Sequence, residues 1–225
     1  MIDAILFDWD GTLVDSKSAI MSSYRNSTTE VLGAPYPSTP EEMALIMPMR
    51  AQESFGMMSD DPAVVEQLIA AYHRAYLRNS QLAGAFAGTR EVLDGLKARG
   101  FRLGVVTSKG RDRMGSDAER YGLTDLFDVL VTGDESAERK PHPGPIIDAL
   151  EILGIPGASA VYVGDGPQDV LAGRGAGTLT VSCGYGFHGA DECLAEHPDY
   201  LIDDIRDLPG VVDQIVAATP VSTGD

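Results

Sequence analysis

The sequence predicts an α/β protein, a doubly wound parallel sheet with an inserted α-helical cap. Three observations carry that prediction. Short apolar runs that end on Gly, Thr or Asp recur along the chain, helical patterns lie between them, and residues 16 to 85 hold helix signals with no convincing strand.

The strand runs are AILFD (4–8), RLGVVTS (102–108), DVLVTGD (128–134), AVYVGDG (160–166), TLTVSCG (178–184) and DYLID (199–203). Between them, residues 89–100 put Val92, Leu93 and Leu96 on one face and stop at Gly100, and residues 112–122 and 144–154 follow the same logic. Alternating strands and helices imply a mostly parallel sheet covered on both faces. Within the insertion, helices are expected over Ser18 to Leu32, Glu41 to Met47 and Pro62 to Leu82. In the last of these Val65, Leu68, Ile69, Tyr72 and Tyr76 recur at helical spacing, which reads as core packing. The expected organisation is a core of residues 1–15 and 86–225 with a helical cap of residues 16–85, and the tail TPVSTGD (219–225) reads as a frayed end.

Composition narrows the function classes. Hydrophobic residues make up 44% and charged ones 23%, and no apolar run approaches the ~20 residues of a transmembrane helix. Lys and Arg total 17 against 34 for Asp and Glu, so a net charge of −17 argues against nucleic acid and anionic membranes as partners. The first acid is Asp3 and no basic leader precedes it, which points to the cytoplasm. Cys183 and Cys193 lack the spacing of a zinc or redox site and read as reduced thiols.

In a parallel α/β sheet the ligand site lies beyond the carboxyl ends of the strands. The residues there are Asp8 and Asp10 after the first strand, Thr107 and Ser108 after the second, Lys140 after the third, and Asp165 with Asp169 after the fourth. Asp8 and Asp10, two residues apart on one strand face at about 6 to 7 Å, would repel each other unless a cation compensates. Adding Asp165 makes three carboxylates, a natural set for a hard cation such as Mg²⁺ where phosphate is also bound. Lys140 and the donors around Thr107 suit phosphate oxygens, and the whole inventory reads as phosphoryl transfer. Each of these has an ordinary structural reading when taken alone, the Asp8 and Asp10 pair as a helix cap or an Asx turn, but for that pair the chemical reading is preferred.

Together, DWDGTLVDS (8–16), VVTSK (105–109), KPHP (140–143) and GDGPQD (164–169) resemble, in order and spacing, the four motifs of the haloacid dehalogenase-like hydrolases. The insertion resembles the helical cap of the subgroup that includes phosphoglycolate phosphatases and β-phosphoglucomutases. That resemblance implies a strand order of 5, 4, 1, 2, 3 and a Mg²⁺-dependent phosphatase acting on a small-molecule phosphate ester. By the same resemblance Asp8 would form an aspartyl phosphate, and Asp10 would protonate the leaving group and then activate water. Mg²⁺ would be held by the Asp8 carboxylate, the Asp10 backbone carbonyl and Asp165, supported by Asp169. Thr107 and Lys140 would hold the phosphoryl group, helped by backbone N–H groups near Gly11 and Ser108. Trp9, where the family often has a smaller aliphatic residue, is expected to face the cap side of the site.

Three alternatives compete: a phosphosugar mutase, against which Thr12 argues; a phosphonate or haloacid hydrolase, for which Lys17 is a poor Schiff base; and a non-enzymatic acidic binding module on the same fold. Arg50, in the cap stretch MPMRAQESF (47–55), is the candidate for gripping an anionic group of the substrate. A monomer or weak homodimer is expected. GYGFHG (184–189) matches GxGxxG literally, but too little chain follows it for a dinucleotide-binding fold, and the overlapping run TVSCGYG (180–186) resembles the fifth strand and following turn of the same hydrolase family.

Overall fold

A computed structural model of the chain describes residues 1–47 and 49–218; the frayed-end expectation for 219–225 lies outside them. Strands β1 (Ala4–Phe7) and β2 (Val14–Asp15) lead into helices α1 (Lys17–Leu32), α2 (Pro40–Ile46), α3 (Ala51–Gly56) and α4 (Pro62–Asn79). After β3 (Gly84–Ala85) come α5 (Thr89–Ala98), β4 (Arg102–Val106), α6 (Arg111–Arg120), β5 (Val129–Val131) and α7 (Gly144–Leu153). The chain continues through β6 (Ala160–Gly164), α8 (Pro167–Gly175), β7 (Leu179–Cys183), α9 (Gly189–Ala195), β8 (Tyr200–Ile202) and α10 (Leu208–Ala218).

Six strands form one sheet in the order β5-β4-β1-β6-β7-β8. The neighbours pair in parallel, with Ile5 opposite Leu103 on one side and Val161 on the other. The order implied by the family resemblance is present, and the sixth predicted strand takes the edge beyond the fifth. All four residues of β1 are buried, which is why its sequence is a continuous apolar run rather than an alternating one. On one face, Leu6, Val106, Val131 and Tyr162 pack with Ile146 and Ala149 of α7 and Ala172 of α8.

The chain divides into two compact units, one formed by Met1–Val14 with the chain from Ala85 onward and the other by Asp15–Gly84. The second is helical. Pro62 occupies the first turn of α4 behind Asp61, whose side chain accepts the Ala63 N–H at 2.9 Å, so the helix begins where proline is tolerated and a cap is present. Its buried face carries Val65, Leu68, Tyr72 and Tyr76, which pack with Tyr24 of α1 and Phe55 of α3. Three details differ from the sequence reading. The helix expected to run to Leu82 gives way to a 3₁₀ turn over Ser80–Leu82, and Gly84–Ala85 is a short strand paired with β2. Helix α3, unmarked in the sequence reading, is only six residues long, too short to show a helical period.

Candidate active site

Strand β1 ends at Phe7, and Asp8 is the first residue beyond it, its N–H donating to the Val163 carbonyl at 2.9 Å. The chain then turns sharply. The N–H groups of Leu13 and Val14 both donate to the Trp9 carbonyl at 3.0 Å, and Gly11, at φ +83°, donates to Val14 at 2.8 Å. Asp8 and Asp10 therefore do not share a strand face as the spacing suggested, because the strand stops one residue before the pair. Asp8 pairs with Lys140, while Asp10 pairs with Lys109.

The three carboxylates that converge are Asp8, Asp165 and Asp169, each offering an oxygen within 4.8 Å of the others. Asp10 is not one of them. Asp165 follows the last residue of β6, and Asp169 lies in the first turn of α8, where its Oδ2 accepts the Gly166 N–H at 3.0 Å. Lys140 Nζ is shared by two of the three, 2.9 Å from Asp8 Oδ1 and 2.6 Å from Asp169 Oδ1, and it also donates to the Tyr162 hydroxyl at 3.0 Å.

The charges are out of balance, with three buried acids facing one buried lysine. Burial, with the Asp169 charge adding to it, pushes Asp8 up to about 7 despite the opposing pull of Lys140. Asp165 is raised well above the carboxylate range by burial and by Asp169 and Asp8. Lys140 would be lowered by burial, but Asp169 and Asp8 outweigh that and hold it firmly protonated. Converging oxygen donors with a surplus of negative charge and no soft ligand fit Mg²⁺. Asp8, Asp165 and Asp169 each offer one such oxygen, and Lys140 engages both Asp8 and Asp169.

The other expected residues take different places. Thr107, buried just past β4, accepts the Lys109 N–H at 3.1 Å, which leaves its hydroxyl proton available as a donor. Ser108 follows it, and its carbonyl lies where a Cβ on Gly133 would sit, 2.2 Å away. The Gly11 N–H is engaged within the turn, and a Cβ there would meet Asp165 Oδ2 at 2.2 Å. Arg50 lies in the helical unit at the start of α3, its N–H donating to Glu53 Oε2 at 3.2 Å. Trp9 is fully buried, its ring 6.5 Å from Tyr121 and 6.2 Å from Phe127.

Sequence reading gave no role to Lys109 and Asp117. Lys109 Nζ is buried between Asp10 Oδ1, at 2.9 Å, and the carboxylate of Asp117 on α6, so it ties the Asp10 side chain to the core. The signal for Lys109 was its place one residue past the Thr107–Ser108 pair. Asp117 gave none, since an acid in a helix as polar as RDRMGSDAER reads as surface.

The chain matches the family haloacid dehalogenase-like hydrolase over residues 5–183. It is 31% identical over 212 residues to the pyrophosphatase PpaX of Halalkalibacterium halodurans, covering 94% of this chain and 97% of that protein. To the pyrophosphatase PpaX of Bacillus velezensis it is 33% identical over 209 residues, covering 92% and 94%. Among solved structures it resembles CbbY of Rhodobacter sphaeroides in complex with phosphate, with a TM-score of 0.81, 26% identity, and coverage of 92% of this chain and 96% of that one. The chain belongs to the haloacid dehalogenase-like hydrolases, as its four motifs implied, and it is an enzyme of the phosphatase kind. The non-enzymatic module falls with that assignment. Among the described residues no helix is long and apolar enough to cross a membrane.

Proposed function

We propose that the chain is a Mg²⁺-dependent phosphatase that hydrolyses a small-molecule phosphate ester through an aspartyl phosphate on Asp8. The observation that carries this reading is Lys140 held between Asp8 and Asp169 beside Asp165, a set that is unbalanced without a cation and suited to one with phosphate. Asp8 and Asp165, with the Asp10 carbonyl, would hold the metal, which when bound neutralises charge on the phosphoryl oxygens.

The protein's own residues carry the steps. An Asp8 carboxylate oxygen attacks phosphorus and the bond to the leaving oxygen breaks, while Asp10, steadied by Lys109, donates a proton to that oxygen. Asp10 then takes a proton from water, the water oxygen attacks the same phosphorus, and inorganic phosphate leaves with Asp8 regenerated. Throughout, Lys140 and the Thr107 hydroxyl oppose the charge on the phosphoryl group. The helical unit Asp15–Gly84 is proposed as the cap, with Arg50 taking an anionic group of the substrate. The proposed state is a cytoplasmic monomer or weak homodimer, and two buried free thiols, Cys183 and Cys193, agree with a reducing compartment.

A second reading, pyrophosphate as substrate, is favoured by the names of the two relatives. The same nucleophile would serve, but an anhydride has a better leaving group than an alkyl ester and would depend less on proton donation by Asp10. Phosphate release should be measured with and without Mg²⁺ on pyrophosphate, phosphoglycolate, sugar phosphates, nucleotides and an aryl phosphate. Metal-dependent release concentrated on one compound supports the proposal and chooses between the two readings. Interconversion of a sugar phosphate with no net release would replace both with the mutase. Arg50→Ala, assayed on the preferred compound, should lower kcat/KM by about tenfold, and an unchanged value removes Arg50 from the site.

A further inference from the structure

The run GYGFHG holds the turn that follows β7, and its residues Tyr185, Gly186 and Phe187 lie against the two loops that carry the candidate metal site. Following β7, Gly184 donates its N–H to the Ile202 carbonyl at 2.9 Å and Gly186 donates to Cys183 at 3.2 Å, which folds residues 184–187 into a tight turn. From that turn the Phe187 N–H donates to Asp165 Oδ2 at 2.6 Å. The Tyr185 hydroxyl donates to the Thr12 carbonyl at 2.8 Å, and its ring packs edge-on to Phe86, 4.8 Å between centroids. A Cβ on Gly186 would lie 2.2 Å from the Asp165 Cβ and 2.6 Å from both Asp165 Oδ2 and the Gly11 carbonyl.

We infer that the turn 184–187 is a positioning element for Asp165, fixing how its carboxylate faces the cation; this rests on the metal reading given above. Asp165 is confined from two sides by positions that lack a Cβ, Gly11 from the turn after β1 and Gly186 from the turn after β7. One of its oxygens, Oδ2, is oriented by a backbone amide, and the other, Oδ1, is approached by Thr12 Oγ1 at 3.4 Å. A carboxylate held this way presents a defined lone pair to a cation without first reorganising, as expected of groups that orient metal ligands. The Tyr185 bond to Thr12 fastens the same turn to the loop that bears Asp8 and Asp10, so the turn sets the spacing between two of the metal-bearing loops. Ordinary sheet closure does not account for this arrangement. A turn whose only duty was to leave β7 would not need a backbone near enough to a buried carboxylate to exclude a methyl group.

The test is Mg²⁺ binding by calorimetry on the full chain, together with the Mg²⁺ dependence of hydrolysis. Gly186→Ala should raise the Kd for Mg²⁺ by about 10- to 100-fold, while KM for the phosphate substrate at saturating Mg²⁺ stays within about twofold. A role confined to folding would lower the unfolding temperature and leave that Kd in place. Wild-type Mg²⁺ affinity in folded Gly186→Ala overturns the inference. If that variant does not fold, Tyr185→Phe, which removes one hydroxyl and keeps the ring, should weaken Mg²⁺ binding about three- to tenfold, and an unchanged Kd overturns it. The two ideas fail separately: a wild-type protein that binds no Mg²⁺ removes the metal reading and this inference with it, whereas wild-type binding shared equally by the variants removes only the inference.

Discussion

The two compact units bury polar groups in opposite ways. Among the described residues the buried charged side chains, Asp8, Lys109, Asp117, Lys140, Asp165 and Asp169, all belong to the α/β unit. The buried polar side chains of the helical unit are hydroxyls, such as Ser23, Ser27 and Thr28, and these three bond to carbonyls of their own helix around an aromatic core. Hydroxyls satisfied locally cost little to bury, whereas buried ions must be paired and still lose solvation. The α/β unit thus carries an electrostatic cost that the helical unit does not, concentrated where phosphate chemistry is proposed.

The sharpest way to break this contrast is to remove one acid from the surplus. Asp8→Asn should lower kcat by about four orders of magnitude or more, yet metal-free protein should unfold at no lower temperature than wild type, because Lys140 keeps Asp169 at 2.6 Å and one uncompensated negative charge is gone. Single-turnover assays and thermal unfolding measure the two halves. Substantial turnover in that variant would end the covalent mechanism.

Removing the cation should do the reverse. Lys140→Met leaves Asp8 and Asp169 buried together without their partner, at a cost of about 3 to 5 kcal/mol in denaturant unfolding at neutral pH, and added Mg²⁺ should recover part of it. A loss indifferent to Mg²⁺ would mean that the acids and the metal do not share a site. In the helical unit Phe55→Ala removes a fully buried ring packed 5.0 Å from Tyr24 and should cost about 3 kcal/mol. That loss should not respond to Mg²⁺ or salt, and a strong response would dissolve the contrast.

The smallest effect is a pH dependence of the metal-free protein. Asp8 is raised from an ordinary value of 3.8 to about 7, and Asp165 is raised in the same direction. The folded state therefore holds protons that the unfolded state has released. Stability from these groups is full below about pH 4 and is lost as pH rises through about 7. The unfolding temperature should fall by a few degrees between pH 5 and pH 8, Mg²⁺ should restore more of it at pH 8, and Asp8→Asn should flatten the profile. Equal Mg²⁺ effects at both pH values would contradict the assignment.

Much of this architecture was legible in the sequence because it depends on local regularities. Continuous apolar runs such as AILF mark strands buried on both faces, and periodic residues such as Val65, Leu68, Tyr72 and Tyr76 mark a packed helix. The chemistry-bearing residues were legible for a related reason, since strand ends in a parallel sheet face one edge and the acids, threonine and lysine stand there. Partnership was not legible. Which three carboxylates converge depends on where β1 stops and on how α8 presents Asp169, and the Asp10 carboxylate pairs with Lys109 instead. Lys109 finds Asp117 through the packing of α6, and the Asp165 carboxylate is oriented by an amide 22 residues further along the chain. Sequence determined the elements and the inventory of groups, because both follow from short-range pattern. Tertiary structure alone decided which charges meet, because distances of about 3 Å between buried groups are set by packing, which no local spacing encodes.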